Sequence, residues 1–185
     1  MKAAVVVFPG SNREKDAAKA LTMAGAKVEM VWHAEGALPP GTDLAVLPGG
    51  FSYGDYLRCG AIAARANIME AVRAHAARGG LVLGICNGFQ ILCEAGLLPG
   101  ALVRNHHLHF VCDFVHVRVE HARAPFTSRA AAGRVLRLPI KHGEGAYHAS
   151  PEASLSARAM SRSRLIPGKT RTADFIAGAY SSSTR

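Results

Sequence analysis

Gly80-Leu81-Val82-Leu83-Gly84-Ile85-Cys86-Asn87-Gly88-Phe89-Gln90-Ile91-Leu92-Cys93 is the stretch on which the fold of this chain turns. An apolar run enters Gly84-Ile85-Cys86-Asn87-Gly88 and leaves it in a helical pattern. A strand, a Gly-x-Cys-x-Gly turn and a helix make the layout of a nucleophile elbow, with cysteine where a hydrolase often carries serine. Such a turn is crowded, and glycines on both sides let the backbones approach closely. It presents Cys86 at the carboxyl end of a sheet, and the helix that follows aims its N–H groups at the sulfur, which favours thiolate. The competing assignment for Cys86 is a small buried hydrophobe, the usual fate of a lone cysteine.

Working outward from the elbow, strand and helix signals alternate. Residues 3–8 form a β-branched run, and residues 13–24 carry helical spacing through Ala17, Leu21 and Ala24, with Ser11 or Asn12 as cap and Gly25 as stop. Residues 27–32 alternate with period two and predict a second strand. Residues 43–47 predict a third that ends in Pro48-Gly49-Gly50, and Ile62, Ala66, Met69, Val72 and Ala76 mark one helix face. This alternation predicts an α/β fold: an open, mostly parallel sheet with helices on both faces. After Gly100 the pattern changes, and residues 110–119 and 134–140 predict longer strands in an antiparallel addition, joined through residues 122–132.

With 49% apolar residues, 185 residues are enough for one well-buried domain. No apolar run approaches the ~20 residues of a membrane span, and the amino terminus reads as a first strand rather than a signal peptide, so a cytoplasmic protein without membrane contact is expected. Cys59, Cys86, Cys93 and Cys112 form no C-x-x-C pair, which predicts reduced thiols and no metal site. The net charge of +9 raises the question of nucleic acid. Residues 1–149 hold 16 Lys and Arg against 11 Asp and Glu, scattered and with few aromatics, which describes a solvated surface and no nucleic-acid partner.

In an open α/β sheet the site lies at the carboxyl ends of the strands. Three such ends carry candidates: Phe8-Pro9-Gly10-Ser11-Asn12, the run from Pro48 to Gly60, and the elbow. The N–H of Gly50 is placed to share an oxyanion with the N–H of Asn87; the simpler alternative is that Gly49-Gly50 only makes a turn.

These segments carry a resemblance. Pro9-Gly10-Ser11-Asn12, Gly49-Gly50-Phe51-Ser52-Tyr53-Gly54-Asp55-Tyr56 through Cys59-Gly60-Ala61-Ile62, Gly84-Ile85-Cys86-Asn87-Gly88-Phe89-Gln90, and His142-Gly143-Glu144-Gly145 occur in this order. Over about residues 1–149 the chain resembles the glutaminase subunits of phosphoribosylformylglycinamidine synthase, class I (triad) glutamine amidotransferases with a flavodoxin-like fold. The resemblance implies that Cys86 attacks the side-chain amide of glutamine and releases ammonia through a glutamyl thioester. It implies Gly50 and Asn87 as oxyanion-hole amides and Gln90 as a glutamine-holding residue. It also implies two partners, a large synthetase subunit that uses ATP and Mg and a small accessory subunit. No cofactor is expected in this chain itself, which has no Gly-x-x-x-x-Gly-Lys-Ser/Thr pattern.

The chain departs from that family after about residue 150. A cysteine amidase needs a histidine oriented by a carboxylate, which the family takes from a Pro-His-Pro-Glu segment that this sequence lacks. Residues 176–185 resemble the stretch that leads up to it. Residues 150–172, rich in Ser and Arg, do not resemble the family, and residues 154–164 have neither helical nor strand period. The expected organisation is therefore an amidotransferase domain over 1–149 and an atypical tail over 150–185 that reads as a frame-shifted and truncated segment, leaving a sheet edge open. His106, His107, His109, His116, His142 and His148 are expected to be solvated or structural, because spacing provides none with an orienting partner. Three other readings compete with a glutaminase: a non-catalytic subunit that keeps the fold, a nucleic-acid binder that uses the basic tail, and an elbow hydrolase acting on esters. The chain as written is expected to release little or no ammonia from glutamine, and a turnover abolished by Cys86→Ala would contradict that expectation.

Overall fold

The computed structural model describes residues 1–119 and 125–149, and the backbone of two further strands, Ser163–Leu165 and Ala177–Tyr180. These residues form two compact units: Met1–Leu98 with the strand Ala177–Tyr180, and the described part of Pro99–Ile176.

The first unit is built on β1 (Lys2–Val7), β2 (Lys27–Trp32), β3 (Leu44–Leu47) and β4 (Leu81–Ile85), all parallel and in the order β2-β1-β3-β4. Helix α1 (Glu14–Met23) follows β1, α2 (Ile68–Ala77) precedes β4, and α3 (Asn87–Glu94) follows it. The period-two geometry of strands sorts the core into two layers. Ala3 and Val5 of β1 with Leu44 and Val46 of β3 pack against Ala17, Ala18 and Leu21 of α1, together with Leu81, Leu83 and Ile85 of β4. Residues of the other parity, Ala4, Val6, Ala45, Leu47 and Val82, are buried on the opposite face, where Gly84 meets Leu92 of α3. Helices thus lie on both faces of a mostly parallel sheet. The strand order reverses between β1 and β3, which is where open α/β sheets open a crevice at their carboxyl edge.

Two close approaches seat α3 on the sheet. A Cβ on Gly88 would lie 1.9 Å from the Leu47 carbonyl oxygen, and one on Gly84 would lie 2.6 Å from both the Gly88 carbonyl oxygen and Leu92 Cδ1. Burial of Ile91 and Leu92, both 0% exposed, then fixes the helix on β3 and β4, each such side chain contributing about 1.5–3 kcal/mol.

The second unit contains β5 (Ala101–Val103), β6 (Val111–Val119), β7 (Val135–His142), β8 (Ala146–His148) and β9 (Ser163–Leu165). β6 pairs antiparallel with β7 on one edge and with β9 on the other. Val115, Val117 and Ile140 form its buried cluster. β5 and β8 make a separate antiparallel pair.

Several expectations from sequence change here. Neither Ser11 nor Asn12 caps α1: Arg13 occupies the cap position without a side-chain bond, and Ser11 Oγ instead accepts the Phe8 N–H at 3.1 Å. The face from Ile62 to Ala76 is not one helix. A 3-10 turn over Ala63–Arg65 ends at Ala66, whose extended backbone (φ −64°, ψ 149°) separates it from α2. Within the stretch read as lacking any period, Ser163–Leu165 forms β9, because an edge of β6 supplies its hydrogen-bond partners. The outer edge of β4 is paired antiparallel with β10 (Ala177–Tyr180), from Ala177 opposite Ile85 to Tyr180 opposite Val82. The rest of residues 150–185, and 120–124, lie outside the described residues. Among the described residues no helix is long and apolar enough to cross a membrane.

The close approach of α3 makes a test of the fold. Gly88→Ala should destabilise by about 3 kcal/mol, because neither the Leu47 carbonyl nor the helix backbone can move aside. Gly36→Ala, where nothing lies within 4 Å, should stay within about 0.5 kcal/mol of the parent. Urea unfolding of both variants measures the difference.

Candidate active site

Cys86 stands between β4 and α3 with φ 54° and ψ −110°, a conformation that L-residues rarely adopt. Packing of α3 on β3 imposes it: the chain must reverse within one residue between Gly84 and Gly88. Such an outlier costs on the order of 1–3 kcal/mol and is characteristic of active-site turns. The residue is exposed, while its neighbours Asn87, Gly88, Phe89 and Gln90 are buried.

The loops after β1 and β3 close around it. Ser11 and Gly50 form an antiparallel bridge, Phe51 N–H donates to Gly10 O at 3.0 Å, and Tyr53 N–H donates to Pro9 O at 2.7 Å. Gly50 has φ +145°, and a Cβ there would lie 2.8 Å from Asn12 N and Ser11 Cα. A Cβ on Gly49 would lie 3.4 Å from Cys86 Cβ, so the glycine pair borders the cysteine directly. Beyond it, Tyr53, Gly54, Asp55 and Leu57 all have positive φ. Three of these are not glycine, which makes this loop strained as well as compact. Tyr53 OH is 2.7 Å from His33 Nδ1, which pins the loop to the end of β2.

Asn87 joins the loop to the elbow. Its side chain is 2% exposed; Oδ1 accepts the Ser52 N–H at 3.1 Å, and Nδ2 donates to Asp55 Oδ1 at 3.2 Å and to Gln90 Oε1 at 3.0 Å. Ser52 Oγ is buried with no hydrogen-bond partner among the described residues. Sequence reasoning singled out Asn87 for its backbone N–H and did not find the side-chain network. Asp55 was in the quoted run without a role.

The thiol does not behave as the elbow alone predicts. Although the residue as a whole is exposed, the protein around the sulfur desolvates it and pushes its pKa up; the Asn87 N–H hydrogen bond pulls it down; the Asp55 carboxylate pushes it up again. The net shift is upward, so the expected bias toward thiolate is corrected: desolvation and a nearby negative charge outweigh the end of a helix only eight residues long. Among the described residues no histidine is a cause of the Cys86 shift. In this unit His33 is engaged by Tyr53, and His75 lies with Nε2 3.2 Å from the Leu81 carbonyl oxygen. Cys93, on the buried side of α3, is pushed up to about 12 by burial and by Glu94.

The remaining described histidines lie in the second unit. His142 Nδ1 is 3.0 Å from Asn105 Oδ1, which also accepts the Gly145 N–H at 3.0 Å. Asn105 Nδ2 donates to the carbonyls of His109 and His142, so this asparagine, 0% exposed, holds the His-Gly-Glu-Gly turn in place. His106 meets His148 edge-on and His107 stacks on His109, while His116 is exposed on β6. A surface groove of about 480 Å³ lies between α2 and residues 36–42, and no candidate site residue lines it.

With this geometry established, comparison with known proteins is specific. A family model of the CobB/CobQ-like glutamine amidotransferase domain matches residues 1–169. Phosphoribosylformylglycinamidine synthase subunit PurQ of Bradyrhizobium diazoefficiens is 65% identical over 153 residues, covering 82% of this chain and 66% of that one. The subunit of the same name from Cereibacter sphaeroides is 60% identical over 152 residues, covering 82% of this chain and 68% of that one. Among solved structures, PurLQS from Thermotoga maritima matches with a TM-score of 0.77 and 46% identity over 82% of this chain and 70% of that chain. The chain belongs to the CobB/CobQ-like glutamine amidotransferases and, within them, to the PurQ family; it spans about two thirds of the length of the curated relatives it matches.

A raised pKa keeps Cys86 protonated at neutral pH, so its thiolate fraction lies below that of a free cysteine peptide. Alkylation by iodoacetamide, read by peptide mass spectrometry, should therefore reach half its limiting rate at a higher pH for Cys86 than for the peptide. Cys93 should stay unlabelled in the folded chain.

Proposed function

We propose that this chain is the ammonia-generating subunit of a phosphoribosylformylglycinamidine synthase in purine biosynthesis. The observation that carries this reading is the strained Cys86, exposed at the head of α3 between the Gly49-Gly50 turn and the Asn87 N–H. The Cys86 sulfur, as thiolate, attacks the side-chain amide carbon of glutamine, and the carbonyl oxygen takes the negative charge. The N–H groups of Gly50 and Asn87 receive that oxyanion, while Gln90 holds the substrate. Collapse of the tetrahedral intermediate breaks the C–N bond, and the leaving nitrogen takes a proton and departs as ammonia. Water then cleaves the glutamyl thioester, giving glutamate and restoring the thiol.

Ammonia passes to a large synthetase subunit, which uses ATP and Mg, in a cytoplasmic complex completed by a small accessory subunit. The Thermotoga maritima structure titled PurLQS supports an assembly of this kind. The upward shift of the Cys86 thiol supports slow turnover by the chain as written. The same observation favours a second reading, a subunit that keeps the fold and the assembly without the chemistry.

Reconstitution with the synthetase and accessory subunits of a PurQ-bearing relative separates the two. The glutaminase reading expects formation of the amidine product from formylglycinamide ribonucleotide, ATP and Mg with glutamine as nitrogen source, abolished by Cys86→Ala. Product formed only with ammonium chloride, in a complex that still co-purifies with this chain, establishes the binding subunit instead. Neither product from glutamine nor association would overturn both.

A further inference from the structure

His33, the residue after β2, joins the ends of β1 and β2, the start of α2 and the loop after β3. Its N–H donates to the Val7 carbonyl at 2.9 Å, and its own carbonyl accepts the Ile68 N–H at 3.1 Å. The imidazole lies edge-on to Trp32 with ring centroids 4.5 Å apart, stacks on Phe8 at 6.5 Å and meets the Tyr53 ring at 5.4 Å. Its Nδ1 is 2.7 Å from the Tyr53 hydroxyl. The loop that carries Tyr53 does not hold its shape by itself. Tyr53, Asp55 and Leu57 have φ of 53°, 55° and 69°, and Tyr56 and Leu57 at its tip are 74% and 92% exposed, so burial there offsets little of the strain. Its shape depends on ties to its neighbours. On one side the Ser52 N–H and the Asp55 carboxylate meet the Asn87 side chain at 3.1 and 3.2 Å; on the other, Tyr53 reaches His33.

From these ties we infer that His33 is a positioning residue for the Cys86 nucleophile: through the Tyr53 hydroxyl it holds the strained loop in the conformation that keeps the Asp55 carboxylate on Asn87, the neighbour of Cys86 in the elbow. The inference rests on the proposed glutaminase reading for its catalytic meaning, and adds to it a residue outside the elbow that governs how readily the sulfur becomes charged. One hydrogen bond is worth about as much as the strain at one left-handed residue, so loss of the Tyr53–His33 contact is enough to let one of the three relax. Burial holds the Tyr53 hydroxyl above its usual pKa, so it keeps its proton at neutral pH. The consequence at sulfur has a definite sign. Asp55 opposes the thiolate, whereas the N–H that favours it belongs to Asn87 in α3, which the close contacts of Gly84 and Gly88 hold on the sheet. Freeing the loop weakens the opposing charge and leaves the favourable hydrogen bond in place. The thiol then becomes easier to ionise.

Alkylation of Cys86 by iodoacetamide across pH reads the charge on sulfur without any turnover. Tyr53→Phe, which removes one oxygen, and His33→Ala should each lower the pH of half-limiting rate, with alkylation about twofold faster or more at neutral pH. His33→Asn, whose amide falls near the place of Nδ1, should restore the wild-type profile. In an Asp55→Asn background Tyr53→Phe should add nothing, because the charge that it displaces is already gone. Arg13, whose stem also borders Gly49, is common to all these chains and cancels in the comparison. Continued shielding of Cys93 reports that each variant is folded; should His33→Ala expose it, Tyr53→Phe decides. A wild-type profile in folded Tyr53→Phe overturns the inference. An equal shift in the Asp55→Asn background also overturns it, as does a folded His33→Asn that behaves like Tyr53→Phe. Each of these leaves the glutaminase reading standing. A reconstituted complex that forms no product from glutamine overturns that reading instead, and the thiol profiles stand.

Discussion

The contact on which the site depends is the one between the Gly88 Cα and the Leu47 carbonyl, where a single methyl group would sit 1.9 Å from oxygen. It forces the first turn of α3 down onto the carboxyl ends of β3 and β4. Cys86 must then complete the reversal in a positive-φ conformation, and its side chain emerges at the edge of the sheet beside Gly49. The same helix receives the loop after β3 from its far side, where Gly60 would place a Cβ 2.7 Å from Ile91 N. Backbone is held against backbone at each of these points, so the geometry around the cysteine does not rely on the rotamers of flexible side chains. The strain at Cys86 is sustained by the burial of Ile91, Leu92 and Leu47, whose combined contribution exceeds it.

The electrostatics of this corner oppose its geometry. The turn presents a sulfur, and the Asn87 N–H stabilises its anion, yet burial and Asp55 together hold the thiol protonated. A nucleophile in this condition requires a base. The N–H groups at this corner are fixed by the fold, while desolvation and Asp55 oppose the charge on sulfur. Asp55 is part of this balance in two ways, as a negative charge that disfavours thiolate and as the acceptor that orients Asn87.

What was legible in the sequence follows from what is periodic or punctuated. β1 to β4 and α1 to α3 could be read because alternating and 3.6-residue patterns, closed by glycines, survive in the chain. The elbow was legible because the close approach of two backbones demands glycine at fixed offsets. Edge elements were not. β5, β8, β9 and β10 are three or four residues long and are defined by the strands that receive them, as Ala177–Tyr180 is by β4. The helix face from Ile62 to Ala76 kept its period across a break at Ala66, because a 3-10 turn and a helix can place apolar residues on one side without being continuous. The direction of the Cys86 shift was missed because it depends on burial and on Asp55, a residue 31 positions away that no local pattern connects to it.

Residue 87 separates two demands that a motif merges into one letter. Its N–H would point at the sulfur whatever its side chain, so an oxyanion hole alone leaves the identity of the residue open. The side chain is decided by a different requirement: one acceptor for the Ser52 N–H and two donors for Asp55 and Gln90, in a plane, two bonds from Cα, with 2% of the residue exposed. Aspartate has the shape without the donors, serine has one donor, and glutamine carries the amide a carbon too far. Asparagine alone meets the set, and each unmet partner in so buried a position would cost about 1–3 kcal/mol. The identity of this elbow residue therefore belongs to the arrangement of the Gln90 amide and the strained loop, while the stabilisation of charge at the cysteine belongs to the backbone.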